Sequence, residues 1–266
     1  MSKPIVVIPA VINHAIGNKY GGWGWMEYSK KAWKYWCDKN GYELVIYDKC
    51  KISDLVKYRV TVQRWFDIHE FLEEKGIDYS KVLMVDACSI PHWDCPDFFK
   101  LTGENMCGMY DMDNLGWVYE SVEGYKHMFE NFNFDLTRYM NSGWVIFNKS
   151  HKKLFKEFEK FYLDNFDEFY KLQTQTVKRG TCQTPLNYLI QMNDIKVDFL
   201  PQTFRLSHLH RREALRHNWQ MDGTEYEDKT NWFIKYGHVW VFSGFGKEHR
   251  NSLMKQTWDL VGHKYE

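Results

Sequence analysis

Asp86 stands where an apolar run stops. Lys81-Val82-Leu83-Met84-Val85 leads into Asp86 and then a small-polar turn, Ala87-Cys88-Ser89-Ile90-Pro91. A short continuous apolar run with these bounds reads as a strand buried on both faces of a mostly parallel sheet. Ligands of open α/β sheets sit beyond the carboxyl ends of such strands, so Asp86 falls where chemistry is expected. The plainer reading is that it caps the next turn. Asn141 before one strand and Gln183 at the start of one helix carry the same two readings, polar contact with a ligand or local turn chemistry. The stretch Arg205-Leu206-Ser207-His208-Leu209-His210-Arg211-Arg212 is basic, and binding of an anion suits it better than binding of a metal. No Ser-His-Asp order, G-x-x-x-x-G-K loop or G-x-G-x-x-G fingerprint is present, and the Gly-rich Lys19–Gly24 lacks the strand-turn-helix spacing for a dinucleotide.

The elements that must position these residues follow from periodicity. Strands are expected at Ile5–Pro9, Glu43–Tyr47, Lys81–Val85, Met106–Tyr110, Gly143–Phe147, Val197–Leu200 and His238–Phe242. Helices are expected at Met26–Asn40, closed by Gly41, and at Thr61–Lys75, closed by Gly76. Further helices are expected at Lys152–Phe166, at Thr184–Met192 with Pro185 at a tolerated early position, and at Glu248–Leu260. Asn114, Trp117 and Tyr119 read as a polar and aromatic loop. The opening β-α-β-α-β order predicts a doubly wound α/β sheet, and the absence of repeats or linkers predicts one domain over residues 1–266.

Composition narrows the function. Lys+Arg and Asp+Glu both total 35, so the basic excess of a nucleic-acid or anionic-membrane surface is missing. Aromatics make up 18% of the chain, and exposed aromatic faces suit sugar rings. No apolar stretch is long enough to span a bilayer, and the start of the chain carries no secretory apolar region. Six scattered cysteines without C-x-x-C spacing fit thiols in a reducing cytoplasm, host cytoplasm included, with Cys88, Cys95 and Cys107 read as small buried packers.

Several stretches together resemble retaining GT-A glycosyltransferases of the glycogenin and bacterial galactosyltransferase type. They are Val85-Asp86-Ala87-Cys88, Asn141-Ser142-Gly143-Trp144, Cys182-Gln183 leading into a helix, and Val241-Phe242-Ser243-Gly244-Phe245-Gly246-Lys247. The run from Thr61 to Phe99 also resembles glycosyltransferases of phages and large DNA viruses. The resemblance implies a GT-A (Rossmann-like) single α/β domain, with a mostly parallel central sheet flanked by helices. It implies transfer of a hexose from a nucleotide-diphosphate sugar to a hydroxyl of a glycan, glycolipid or glycoprotein, with retained configuration. Carried over by position, Asp86 is the first acidic residue, which binds metal or the nucleotide ribose. Asn141 contacts the donor sugar or the acceptor, and Gln183 lies beside the reacting carbon. Lys247 grips the diphosphate, Arg64 reaches the donor sugar, and Pro9, Ala10 and Asn13 border the nucleobase. Ser142, Gly143, Cys88 and Cys182 fill donor-side positions.

Three positions depart from that pattern. Cys88 replaces the second metal-binding Asp, Cys182 replaces an Asp that bonds sugar hydroxyls, and Val241 replaces a metal-binding His, with His238 nearby. One carboxylate and a thiol make a poor site for Mn²⁺ or Mg²⁺, so Asp86 is expected to bind either weakly at most. The leaving diphosphate would then rest on cations: Lys247, Arg64 or one of Arg205, Arg211, Arg212 and Arg216. The same losses admit a second reading, a catalytically silent GT-A domain that binds a sugar or a partner.

Overall fold

The apolar runs near the start of the chain alternate between two faces. A computed structural model describes residues 2–14, 22–111, 115–201, 205–206, 237–244 and 247–266, with the backbone alone at 205, 206, 247 and 248. In strand β1 (Lys3–Pro9), Ile5 and Val7 enter one apolar cluster while Val6 and Ile8 enter another. Strand β3 (Tyr79–Val85) divides in the same way, with Val82 and Met84 on one side and Leu83 and Val85 on the other. Burial on both faces is why these strands read as unbroken apolar runs rather than alternating ones.

The main sheet has the order β2-β1-β3-β6-β5-β7, where β2 is Glu43–Tyr47, β5 Met106–Met109, β6 Trp144–Phe147 and β7 Val197–Leu200. β1 pairs in parallel with β2 and β3, and β5 in parallel with β7. β6 lies between β3 and β5 and is antiparallel to both. Its reversal matters for the site, because the start of β6 then meets the carboxyl ends of β3 and β5. A smaller sheet has the order β4-β9-β8, from Ser89–Pro91, Val239–Val241 and Arg205–Leu206.

Helices cover both faces. Helix α1 (Trp25–Asn40) buries Trp33, Trp36 and Cys37, and it ends at Gly41, whose φ of 73° is a left-handed conformation that glycine adopts without strain. Helix α2 (Val60–Glu74) packs Val62, Trp65, Phe66 and Ile68 on the opposite face of the sheet. Helices α4 (Lys152–Asp164) and α6 (Gln183–Met192) share that face, and α7 (Lys247–Val261) packs with α1 through Met254 and Val261. Among the described residues no helix is long and apolar enough to cross a membrane.

Three sequence expectations need correction. Trp117 and Tyr119 belong to helix α3 (Leu115–Tyr125), which buries Val118, Val122 and Tyr125 at helical spacing; Gly116 and Gly124 obscure that period, and Asn114 lies outside the described residues. Ser89–Pro91 is a strand, not a turn, since its hydrogen-bond partner is the distant β9. The helix expected over Lys152–Phe166 breaks at Asn165, whose Nδ2 donates to the Phe161 carbonyl at 2.9 Å, and resumes as α5 (Phe166–Lys171).

Burial also sets a pH response. His69 on α2 is enclosed by Phe147, Phe155 and Tyr79, bonds the Tyr79 hydroxyl through Nδ1, and is pushed down to about 4 by burial. Its folded pKa lies below the unfolded value of about 6.5, so between those values the unfolded chain binds more protons. Stability therefore falls as pH drops through that window, by up to about 1.4 kcal/mol per unit for this group. Denaturant unfolding at pH 7 and pH 5 should show wild type losing about 2 kcal/mol more than His69→Phe. Parallel losses would show that His69 does not stay neutral in the fold.

Candidate active site

Two strand-end carboxylates flank the reversed strand. Asp86 follows β3 directly, and Asp111 stands two residues past β5. The turn Asn141-Ser142-Gly143 precedes β6 and is tied to both neighbours. The Asp86 amide donates to the Gly143 carbonyl at 2.9 Å, and the Asn141 amide donates to the Met109 carbonyl at 2.8 Å.

Side chains then close a ring around this turn. Arg64 from α2 donates to Asp86 Oδ1 at 2.6 Å and to the Ser142 carbonyl at 2.8 Å. Gln183, first residue of α6, accepts from the Ser142 amide at 3.0 Å and donates to Asp111 Oδ2 at 2.6 Å. Asn141 donates to the same Asp111 oxygen at 2.9 Å, and its own Oδ1 accepts from the Gly143 amide at 2.7 Å. The backbone of Ser142 is thus held at its carbonyl oxygen by Arg64 and at its amide nitrogen by Gln183. Asn141 and Gln183 use both ends of their amides within the protein.

Each member is positioned by a local device. Arg64 projects from the core face of α2 and is 3% exposed. Burial is the largest influence and lowers its pKa, but the Asp86 carboxylate together with the neighbouring Cys182 and Cys88 makes the net shift upward, so the guanidinium stays charged. Ser89 accepts from Trp33 Nε1 at 3.0 Å and donates to the Asp86 carbonyl at 2.6 Å, so α1 holds the turn after Asp86. Asn187, one helical turn after Gln183, accepts from the Met140 amide at 2.7 Å and donates to its carbonyl at 2.8 Å, as a neighbouring strand would. Thr184 joins Ser121 at 2.6 Å and Tyr139 at 2.7 Å. Gly180, at φ 66°, approaches both Ser121 and Thr184 so closely that a Cβ would overlap their hydroxyls.

The structure gathers Asp86, Arg64, Asn141, Ser142, Gly143 and Gln183, and it sets Cys182 against them, with Sγ 3.6 Å from Ser142 Oγ. Pro9 lies near as well: Val7 pairs with Met84, and Pro9 and Asp86 are each two residues further along those strands. Ala10 donates to the Tyr47 carbonyl at 2.9 Å, and Asn13 donates to the Leu55 carbonyl at 3.3 Å. Cys88 is buried, and its carbonyl accepts from the Phe242 amide at 2.8 Å, which brings the end of β9 beside it. Val241 packs into the apolar cluster that contains Cys88. All six cysteines are free and buried, among them Cys88, Cys95 and Cys107, which are expected as buried packers. The side chains of Lys247 and Arg205 lie outside the described residues, as do His208, His210, Arg211, Arg212 and Arg216.

Asp111 and Asn187 were missed as site residues. Asp111 carries the same signal that marks Asp86, an acidic residue directly after an expected strand, Met106–Tyr110, so the sequence holds the cue for it. Asn187 sits inside an apolar helix, where only the fold shows what it faces.

No protein-family model matches the chain, and no curated protein matches it in sequence. Among solved structures, a glycosyltransferase involved in the glycosylation of the major capsid of PBCV-1 matches over 95% of this chain and 100% of its own, with a TM-score of 0.51 and 9% identity. The bifunctional glycosyltransferase WbbM matches at TM-score 0.49 and 17% identity, over 100% of this chain and 52% of its own. The galactosyltransferase LgtC, in complex with donor and acceptor sugar analogs, matches at TM-score 0.42 and 17% identity, over 96% of this chain and 98% of its own. At these identities the likeness is one of fold. The chain resembles the GT-A glycosyltransferases in its α/β architecture and mostly parallel sheet, as its motifs predict.

Proposed function

We infer that the chain transfers a hexose from a nucleotide-diphosphate sugar to an acceptor hydroxyl, with retained configuration and with weak metal dependence or none. The observation that carries this reading is the ring at the strand ends, in which Asp86, Arg64, Asn141, Gln183 and Asp111 converge on one turn. Ligands of open α/β sheets bind at this edge.

The described residues at these positions do not fit a divalent cation. Asp86 has one oxygen on Arg64, Cys88 is a buried thiol where a second carboxylate belongs, and Val241 offers no donor atom. Among the described residues no three His, Cys, Asp or Glu side chains cluster to hold a metal ion. Charge that develops on the leaving diphosphate is met instead by positive side chains: the Arg64 guanidinium stands at the ring, and Lys247, which the resemblance aligns with a diphosphate-gripping lysine, has its side chain outside the described residues.

Transfer breaks the bond from the sugar's anomeric carbon to the phosphate oxygen and forms one to the acceptor oxygen on the same face. The acceptor proton passes to the departing phosphate. The protein contributes alignment and charge stabilisation rather than a covalent intermediate. A thermal-shift screen of UDP-, GDP- and other nucleotide-sugars tests the reading, since a ligand bound by the native state raises the midpoint by mass action. At least one donor should stabilise the protein. A flat response to all of them would favour the silent binding domain.

A further inference from the structure

Building on the transferase reading, we propose that Asp111 is a positioning residue: one oxygen of its carboxylate decides which way the Asn141 and Gln183 amides face, and through them holds the 141–143 turn against Asp86. A side-chain amide is an acceptor at one end and a donor at the other, and either direction fits the same outline. Asn141 Nδ2 and Gln183 Nε2 converge on the same atom, Asp111 Oδ2, at 2.9 and 2.6 Å. A carboxylate oxygen accepts, so both NH₂ groups must point to it. Both amide oxygens then face the turn, where Asn141 Oδ1 takes the Gly143 amide and Gln183 Oε1 takes the Ser142 amide.

Reversal of either amide would set NH₂ against a backbone N–H inside a buried site. Asn141 is 5% exposed and Asp111 is 4% exposed, so water cannot readily mediate the mismatch. The effect reaches the chemistry because the Ser142 carbonyl is one of two described acceptors that orient Arg64, and Arg64 orients Asp86. Asp111 acts through these neighbours.

Because both bonds end on one oxygen, two variants separate this role from others. Asp111→Asn retains an acceptor at that place and loses the charge, whereas Asp111→Leu retains the approximate shape and loses the acceptor. With a donor from the screen, and below each variant's unfolding midpoint, the Asn variant should keep kcat within about tenfold. The Leu variant should lose about a hundred- to thousandfold in kcat, the range for a lost polar contact in a catalytic site. In ¹⁵N spectra the side-chain NH₂ signals of Asn141 and Gln183 should hold their wild-type positions in Asp111→Asn and move in Asp111→Leu. An Asn variant as impaired as the Leu variant would overturn the proposal, and so would unmoved NH₂ signals in Asp111→Leu. The spectra need no donor, so a protein that binds no nucleotide-sugar would end the transferase reading while the NH₂ signals still decide the role of Asp111.

Discussion

Asp86→Ala is expected to lower turnover by about two to three orders of magnitude, the usual loss for one charge-positioning group. The same change should destabilise the fold. It strips the carboxylate from Arg64, which is 3% exposed and then retains the Ser142 carbonyl as its remaining described acceptor. Removing one member of a buried ion pair typically costs about 3–5 kcal/mol. The lower end is expected here, because a fifth of the Asp86 side chain is open to solvent. Arg64→Met combined with Asp86→Ala should recover much of the stability and none of the turnover. Equilibrium unfolding and initial rates on the two variants check both statements. A single Asp86→Ala variant as stable as wild type would contradict the pairing.

Gly143→Ala is expected to lower turnover by about a hundredfold while leaving the protein folded. A Cβ at this position would lie 2.6 Å from Asp86 Oδ2 and 3.0 Å from Asn141 Oδ1. Neither neighbour yields freely, since Arg64 holds the carboxylate and the Gly143 amide holds Asn141. Overfilling a packed site of this kind costs roughly 1–3 kcal/mol, and the displaced group here is the candidate catalytic carboxylate itself. Gly24→Ala is the control, because a Cβ there meets nothing within 4 Å. Similar rates for the two variants would mean that Asp86 does not need its place beside the turn.

The path from sequence to site succeeded where one physical cause dominated. β1 and β3 were legible because burial on both faces writes a continuous apolar run, and Asp86 was legible because it interrupts one. Helices α1 and α2 were legible from spacing and from the glycines that close them. The motifs around Asn141 and Gln183 pointed to residues that the fold does bring together. What they could not show is that both amides are occupied by protein partners, because that depends on Asp111, whose register against Tyr139 is a long-range matter. β4 was hidden for the same reason: three residues ending in proline become a strand when β9 lies beside them. The metal question was half legible. The resemblance aligns Cys88 and Val241 with metal-ligand positions, whereas the occupation of Asp86 by Arg64 is a property of the folded site.

On the proposed function, cationic side chains at the strand ends hold a sugar's diphosphate, with weak dependence on a divalent ion or none. Calorimetric titration of the stabilising nucleotide-sugar in EDTA, repeated with Mn²⁺, decides between this and a metal-held donor. The expected result is saturable one-to-one binding in EDTA, changed less than about threefold by Mn²⁺ and weakened at least tenfold in Arg64→Gln, about the 1.4 kcal/mol that a charge-assisted contact contributes. Binding that appears with Mn²⁺ and vanishes in EDTA would contradict it.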